Sequence, residues 1–203
     1  MTRKTKALTA LSAAAALLLL TGCTQQAPEP LPTQAASTTP TPTPTVNFEP
    51  YEAEAPKDEA TALKDAEATY QQFLDMRGEI YTHPSDTTGL ENIATGTALS
   101  EALEENEGIA KAGATVTGRF QFELDPDTSY SAPSANGKGE KIEHGTVTLM
   151  GCGDGSQLKI VNKDGTEHTG EGQRVRVKVV VVYSIDTGRW LVSSEEFLKG
   201  ETC

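Results

Sequence analysis

From Asp58 onward, apolar residues recur at steps of three and four: Leu63, Ala66, Tyr70, Phe73, Leu74 and Ile80, with Arg77 in the same phase. The pattern predicts one amphipathic helix of about five turns capped by Asp58. After the His83-Pro84-Ser85-Asp86 break, Leu90, Ile93 and Ala94 mark a short second helix, interrupted by Thr95-Gly96. A third carries Leu99, Ala102, Leu103 and Ile109 and stops near Gly113, a residue suited to the left-handed turn that ends helices. There the period changes to two. Val116, Phe120, Phe122 and Leu124 alternate with Thr115, Thr117, Arg119, Gln121 and Glu123, as in a strand with one buried face. The polar, Pro/Ser/Gly-rich stretch from Asp125 to Lys141 reads as a mobile hairpin loop.

Strand patterns then continue to the last residue: Thr146 to Met150, a weak piece at Leu158 to Val161, Gln173 to Ile185 and Arg189 to Phe197. Asp164-Gly165 and Asp186-Thr187-Gly188 supply turn chemistry that favours antiparallel hairpins. Helices first and a meander of strands afterwards is an α+β layout, with the helices on one face of a curved, mainly antiparallel sheet. Val175, Val177, Val179, Val181, Tyr183 and Ile185 share a phase, so that face of the long strand must be covered. Arg174, Arg176 and Lys178 mark its solvent side, on which Val180 and Val182 are out of place.

The N-terminal third has a different pattern. Arg3, Lys4 and Lys6 precede Ala7 to Leu20, an uncharged run too short to be a comfortable membrane span, and Leu20-Thr21-Gly22-Cys23 closes it. This arrangement resembles the lipobox of bacterial lipoproteins. The resemblance implies that the Cys23 thiol is diacylglycerated, that cleavage removes residues 1–22, and that the chain is lipid-anchored on the outside of the cytoplasmic membrane. Thr24 to about Pro50 holds most of the prolines, including the alternating run Thr39 to Thr45. It reads as a tether of about 3 Å per residue, roughly 80 Å if fully stretched. Thr/Pro alternation also looks like an O-glycosylated linker, although plain disorder is the more economical reading. The expected organisation is therefore a signal peptide over 1–22, a lipidated tether over 23–55 and one globular domain over 56–203.

The chain carries 17 Lys plus Arg against 29 Asp plus Glu. Cutting away Arg3, Lys4 and Lys6 leaves 14 cations and a formal charge near −15. So negative a surface repels phosphate backbones, and no basic stripe with interleaved aromatics offers a nucleic-acid footprint. Lipidation of Cys23 leaves Cys152 and Cys203 as an even pair in an exported chain, which favours a disulfide. The rival is two free thiols in redox or metal chemistry, but no CxxC and no Cys/His ligand spacing accompanies them.

The order of elements, the aromatic-bearing first helix, the Gly96-Thr97-Ala98-Leu99 segment and the ending Gly188-Arg189-Trp190-Leu191-Val192-Ser193 resemble the cone-shaped nuclear-transport-factor-2-like domains, in particular those of secreted actinobacterial lipoproteins. The resemblance implies a pocket between helices and concave sheet, used by some members for catalysis and by others for binding, and frequent dimerisation through the sheet. Candidate pocket residues are Tyr70, Asp75, Tyr183 and Trp190. His83, His144 and His168 sit at a break, a strand start and a loop, where surface roles suffice. No calcium-loop, phosphate-cradle or nucleophile-elbow motif is present, and no cofactor or metal is expected. Val180 and Val182 are candidate interface residues, for a second copy or an envelope protein. The expected function is a surface lipoprotein that binds or scaffolds a protein partner or small ligand in the cell envelope. A small-pocket proton-transfer isomerase or dehydratase is the alternative.

Overall fold

Asp58 begins the first helix in the way its sequence position predicts: its backbone is extended and its side chain accepts from the Thr61 amide at 2.7 Å. The computed structural model describes residues 53–170 and 174–203, so the lipobox, Cys23 and most of the tether lie outside the described residues. Helix α1 spans Glu59–Thr82 and buries Ala62, Ala66, Tyr70, Phe73 and Ile80 along one face. The expected second helix is a single turn of 3-10 helix at Leu90–Asn92. Helix α2, Gly96–Ala112, ends at Gly113, whose φ of 63° is left-handed. Its buried stripe is Ala98, Ala102 and Asn106 rather than the predicted Leu103, which is 41% exposed. Small residues there bring α2 close to its neighbours.

Eight strands follow: β1 Thr115–Thr117, β2 Gln121–Leu124, β3 Tyr130–Ala135, β4 Lys141–Asp154, β5 Lys159–Val161, β6 Glu167–Thr169, β7 Val175–Ser184 and β8 Arg189–Thr202. The main antiparallel sheet runs β2-β4-β7-β8, and β3 joins the same edge of β4 as β2. β1, β5 and β6 form a second, small antiparallel sheet. The two helices pack on these antiparallel sheets, an α+β architecture.

Three expectations are corrected. The single strand expected from Thr115 to Leu124 is two strands in two sheets, because the chain breaks at Gly118. There φ is +88°, and a Cβ would stand 1.9 Å from the Gln157 carbonyl oxygen, so only glycine fits. The loop expected over Asp125 to Lys141 contains β3, which bulges between Ala132 and Ser134, around Pro133. Proline is tolerated at such a bulged edge because no ladder hydrogen bond needs its missing N–H. The loop expected around His168 is β6, paired to β5 with His168 opposite Ile160 and almost no apolar signal to reveal it.

The core lies between the helices and the main sheet. Val147 and Leu149 of β4, Val177, Val179 and Val181 of β7, and Val192 of β8 are fully buried beneath Tyr70, Phe73 and Met76 of α1. Gly151 and Gly153 continue β4 where a side chain would collide: added Cβ atoms would fall 2.5 Å from Phe122 and 2.3 Å from Phe120. The glycines thus make room for aromatic rings. Val180 and Val182 lie on the other face, half-buried, in register with Thr148 and Thr146 of β4 and with Ser194 and Leu191 of β8.

Candidate functional site: a tyrosine, glutamate and arginine cluster

Tyr70, Phe73, Arg77 and Tyr81 follow one another at steps of three and four, which stacks them on one stripe of α1. Arg77 is the odd member, a cation on an apolar stripe, and its side chain is only 15% exposed. Its Nη1 donates to Glu195 Oε2 of β8 at 2.8 Å, and its Nη2 donates to Glu105 Oε2 of α2 at 2.7 Å. Its Nε also donates to the Tyr81 hydroxyl oxygen, at 3.0 Å, while that hydroxyl donates to Glu105 at 2.8 Å. The Tyr70 hydroxyl donates to the other oxygen of Glu195. The guanidinium also lies 5.4 Å from the Phe73 ring centre and 5.5 Å from that of Tyr81. One cation therefore ties α1 to both α2 and β8.

The environment fixes the charges. Burial, and then the negative charge of Glu195, holds the Tyr70 hydroxyl well above the ordinary tyrosine range. Burial also raises Tyr81, against the pull of Arg77. For Arg77 burial opposes the charge, but Tyr81, Glu195 and Glu105 outweigh it and the guanidinium stays protonated. Both tyrosines therefore keep their protons in the fold at pH values where an unfolded chain, titrating near 10.0, has lost them. Their contribution is complete below about pH 10 and is lost as pH rises further. Urea midpoints should fall from pH 9 to about pH 11, and Tyr70→Phe should make that fall shallower.

Both carboxylate oxygens of Glu195 are engaged, so the group could act as a base only by surrendering Tyr70 or Arg77. The chemistry available here is charge-assisted clamping. Beside the clamp, a cleft of about 230 Å³ opens between α1, α2 and β8, with Phe73, Ala98, Ala102 and Phe197 as its apolar lining and Glu101 and Glu105 at its acidic side. A wider groove of about 520 Å³ lies on the flank of β2, where Arg119 pairs with Asp75 and Arg174 pairs with Glu123.

The four predicted pocket residues do not converge. Tyr70 is in the clamp, whereas Asp75 faces the β2 flank, half-exposed against Arg119. Tyr183 donates to the Ala53 carbonyl at 2.9 Å and packs edge-on against Trp190, 5.5 Å between ring centres. Trp190 is buried beneath that pair, and its indole Nε1 has no hydrogen-bond partner among the described residues. The space between helices and sheet, where the resemblance implied a pocket, is filled by Tyr70, Phe73, Trp190 and the valines of β4, β7 and β8. His83 contacts Thr82, His144 contacts Ser131, and His168 is exposed on β6. No three His, Cys, Asp or Glu side chains meet as metal ligands among the described residues.

Sequence reasoning missed Arg77, Tyr81, Glu105 and Glu195 as a unit. Arg77 in the apolar phase of α1 was the available signal. Glu195 gave none, because a bulge between Val180 and Val181 shifts the phase of β8 after Val192 and carries Glu195 to the inner face.

Cys152 and Cys203 are disulfide-bonded, with Cα atoms 6.0 Å apart. No helix among the described residues is long and apolar enough to cross a membrane. No protein-family model matches the chain, and no curated protein matches it. Among solved structures, it is similar to the intermembrane-space region of the chloroplast protein ARC6 at 11% identity, covering 70% of this chain and 98% of that one with a TM-score of 0.49. It is also similar to Aln2 from a Streptomyces species at 12% identity, covering 66% and 88% with a TM-score of 0.34. Neither likeness bears on function.

Proposed function

We propose that this is a lipid-anchored protein of the outer side of the cytoplasmic membrane, whose α+β domain binds a protein partner in the cell envelope. The observation that carries the reading is the Cys152–Cys203 disulfide. Stable disulfides belong to oxidising compartments, so the pair supports export, and it leaves Cys23 as the cysteine free for acylation at the end of Leu20-Thr21-Gly22-Cys23. In the same reading, helices laid on a bulged antiparallel sheet support a nuclear-transport-factor-2-like cone, and the Pro/Thr run from Thr24 to about Pro50 is the tether that lifts it off the membrane.

Binding is favoured over catalysis because the space that the small-pocket enzyme would need is occupied by Tyr70, Phe73, Met76 and Trp190. Its best carboxylate, Glu195, is already engaged at both oxygens. Cys23→Ala tests the anchor. The natural chain should label with radioactive palmitate and sediment with membranes, while the variant loses the label and leaves the membrane fraction. A variant that stays membrane-bound, or a natural chain without label, contradicts the reading.

A further inference from the structure

The main sheet has two edges, and the fold treats them differently. On the β4 side, β3 has its Ser131 amide taken by Glu59 Oε1 at 2.9 Å, and Pro133 offers no amide. Beside it, β2 is four residues long and its Phe122 carbonyl accepts from Gln71. Those are the usual devices that stop a strand edge from recruiting another. On the other side, β8 is blocked at its beginning and bulged near its end, where Lys199, Gly200 and Glu201 have no partner on β7 and Gly200 takes a φ of 86°. Ile93 and Thr95 pair with both backbone groups of Val192, and the Thr97 hydroxyl donates to the Ser193 carbonyl at 3.3 Å. Between these two features, from Ser194 to Leu198, β8 pairs regularly with β7, and no other strand pairs with it among the described residues.

This open stretch runs along the cleft of about 230 Å³, and its Phe197 is 43% exposed at the cleft wall. The helix above it is acidic. Within α2, Glu107 is paired with Lys111 and Glu105 with Arg77, but Glu101 and Glu104 have no ion pair among the described residues. An unpaired strand edge, an apolar notch and uncompensated carboxylates thus lie together.

We infer that the Ser194–Leu198 edge of β8 is the partner-binding surface, and that it takes an extended segment of another protein carrying Lys or Arg next to an apolar side chain. The segment adds as a strand, its apolar residue seats between Phe197, Ala98 and Ala102, and its cation lies near Glu101. This rests on the proposed role as a protein-binding domain, but not on the lipid anchor.

The test is hydrogen exchange read by mass spectrometry on the full chain in detergent, with capped peptides of alternating Lys and Val, or Glu and Val, as probes. The Lys–Val peptide should slow exchange within Ser194–Leu198, and the Glu–Val peptide should not. Phe197→Ala, which removes the exposed ring from the notch, and Glu101→Lys should each weaken the Lys–Val effect about ten-fold. Protection spread evenly over the acidic surface, protection centred on Val180 and Val182, or unchanged binding by both variants would overturn the inference. Self-association that protects the same edge without peptide would overturn it in favour of a second copy. None of these outcomes touches palmitate labelling, so failure of the docking edge and failure of the anchor are separable.

Discussion

Arg77→Ala should destabilise the domain by about 3–5 kcal/mol, measured by urea unfolding at neutral pH. The loss comes less from the ion pairs removed than from what is left behind. Glu195, with its side chain 7% exposed, would keep a negative charge with only Tyr70 still bonded to it among the described residues. Glu105 is 45% exposed and can be rehydrated, so it adds little. The triple variant Tyr70→Phe, Arg77→Met, Glu195→Met should behave in the opposite way. No buried charge is stranded in it, and most of the lost stability should return. A triple variant as unstable as the sum of its single changes would show that the residues act independently, and that the clamp is not a unit.

Removing the disulfide by Cys152→Ser and Cys203→Ser should cost about 4 kcal/mol, since a cross-link over a sequence separation of 51 residues strongly restricts the unfolded chain. The effect should also have a location. Cys152 sits on β4, while Cys203 follows Thr202, which pairs with Val175 on the intervening β7. The bond therefore clips the tail of β8 across its neighbour. Hydrogen exchange in the variant should accelerate first from Leu198 onward, with α1 changed least. Because this tail adjoins the proposed docking edge, the same variant should bind the Lys–Val peptide more weakly. Uniform acceleration, or no loss of stability, would mean that strand pairing alone holds the tail.

The parts of the fold legible in the sequence are those written by local chemistry. Asp58 caps its own helix, Gly113 ends another, and Asp186-Thr187-Gly188 turns β7 into β8 through residues a few positions apart. The strongly alternating valines of β7 announced the buried face of the sheet before any partner strand was known. What stayed illegible depends on distant partners. β3 and β6 have little apolar signal, and they exist because partner strands elsewhere in the chain, β4 and β5, offer them open ladders. The split at Gly118 is imposed by the Gln157 carbonyl, far along the chain. The clamp required joining an arginine on α1 to a glutamate whose facing was set by a bulge. Asp75, singled out as a pocket residue, belongs instead to nearly the opposite face of α1, because two positions along a helix turn a side chain by about 200°.

The most direct test of the account is the mass of the mature protein recovered from the membranes of producing cells, measured intact and with its thiols alkylated before any reduction. The account predicts a chain that begins at Cys23, carries a diacylglyceryl group there, and takes up no alkylating agent at Cys152 or Cys203. A chain that retains residues 1–22, an unmodified Cys23, or alkylated Cys152 and Cys203 would contradict it.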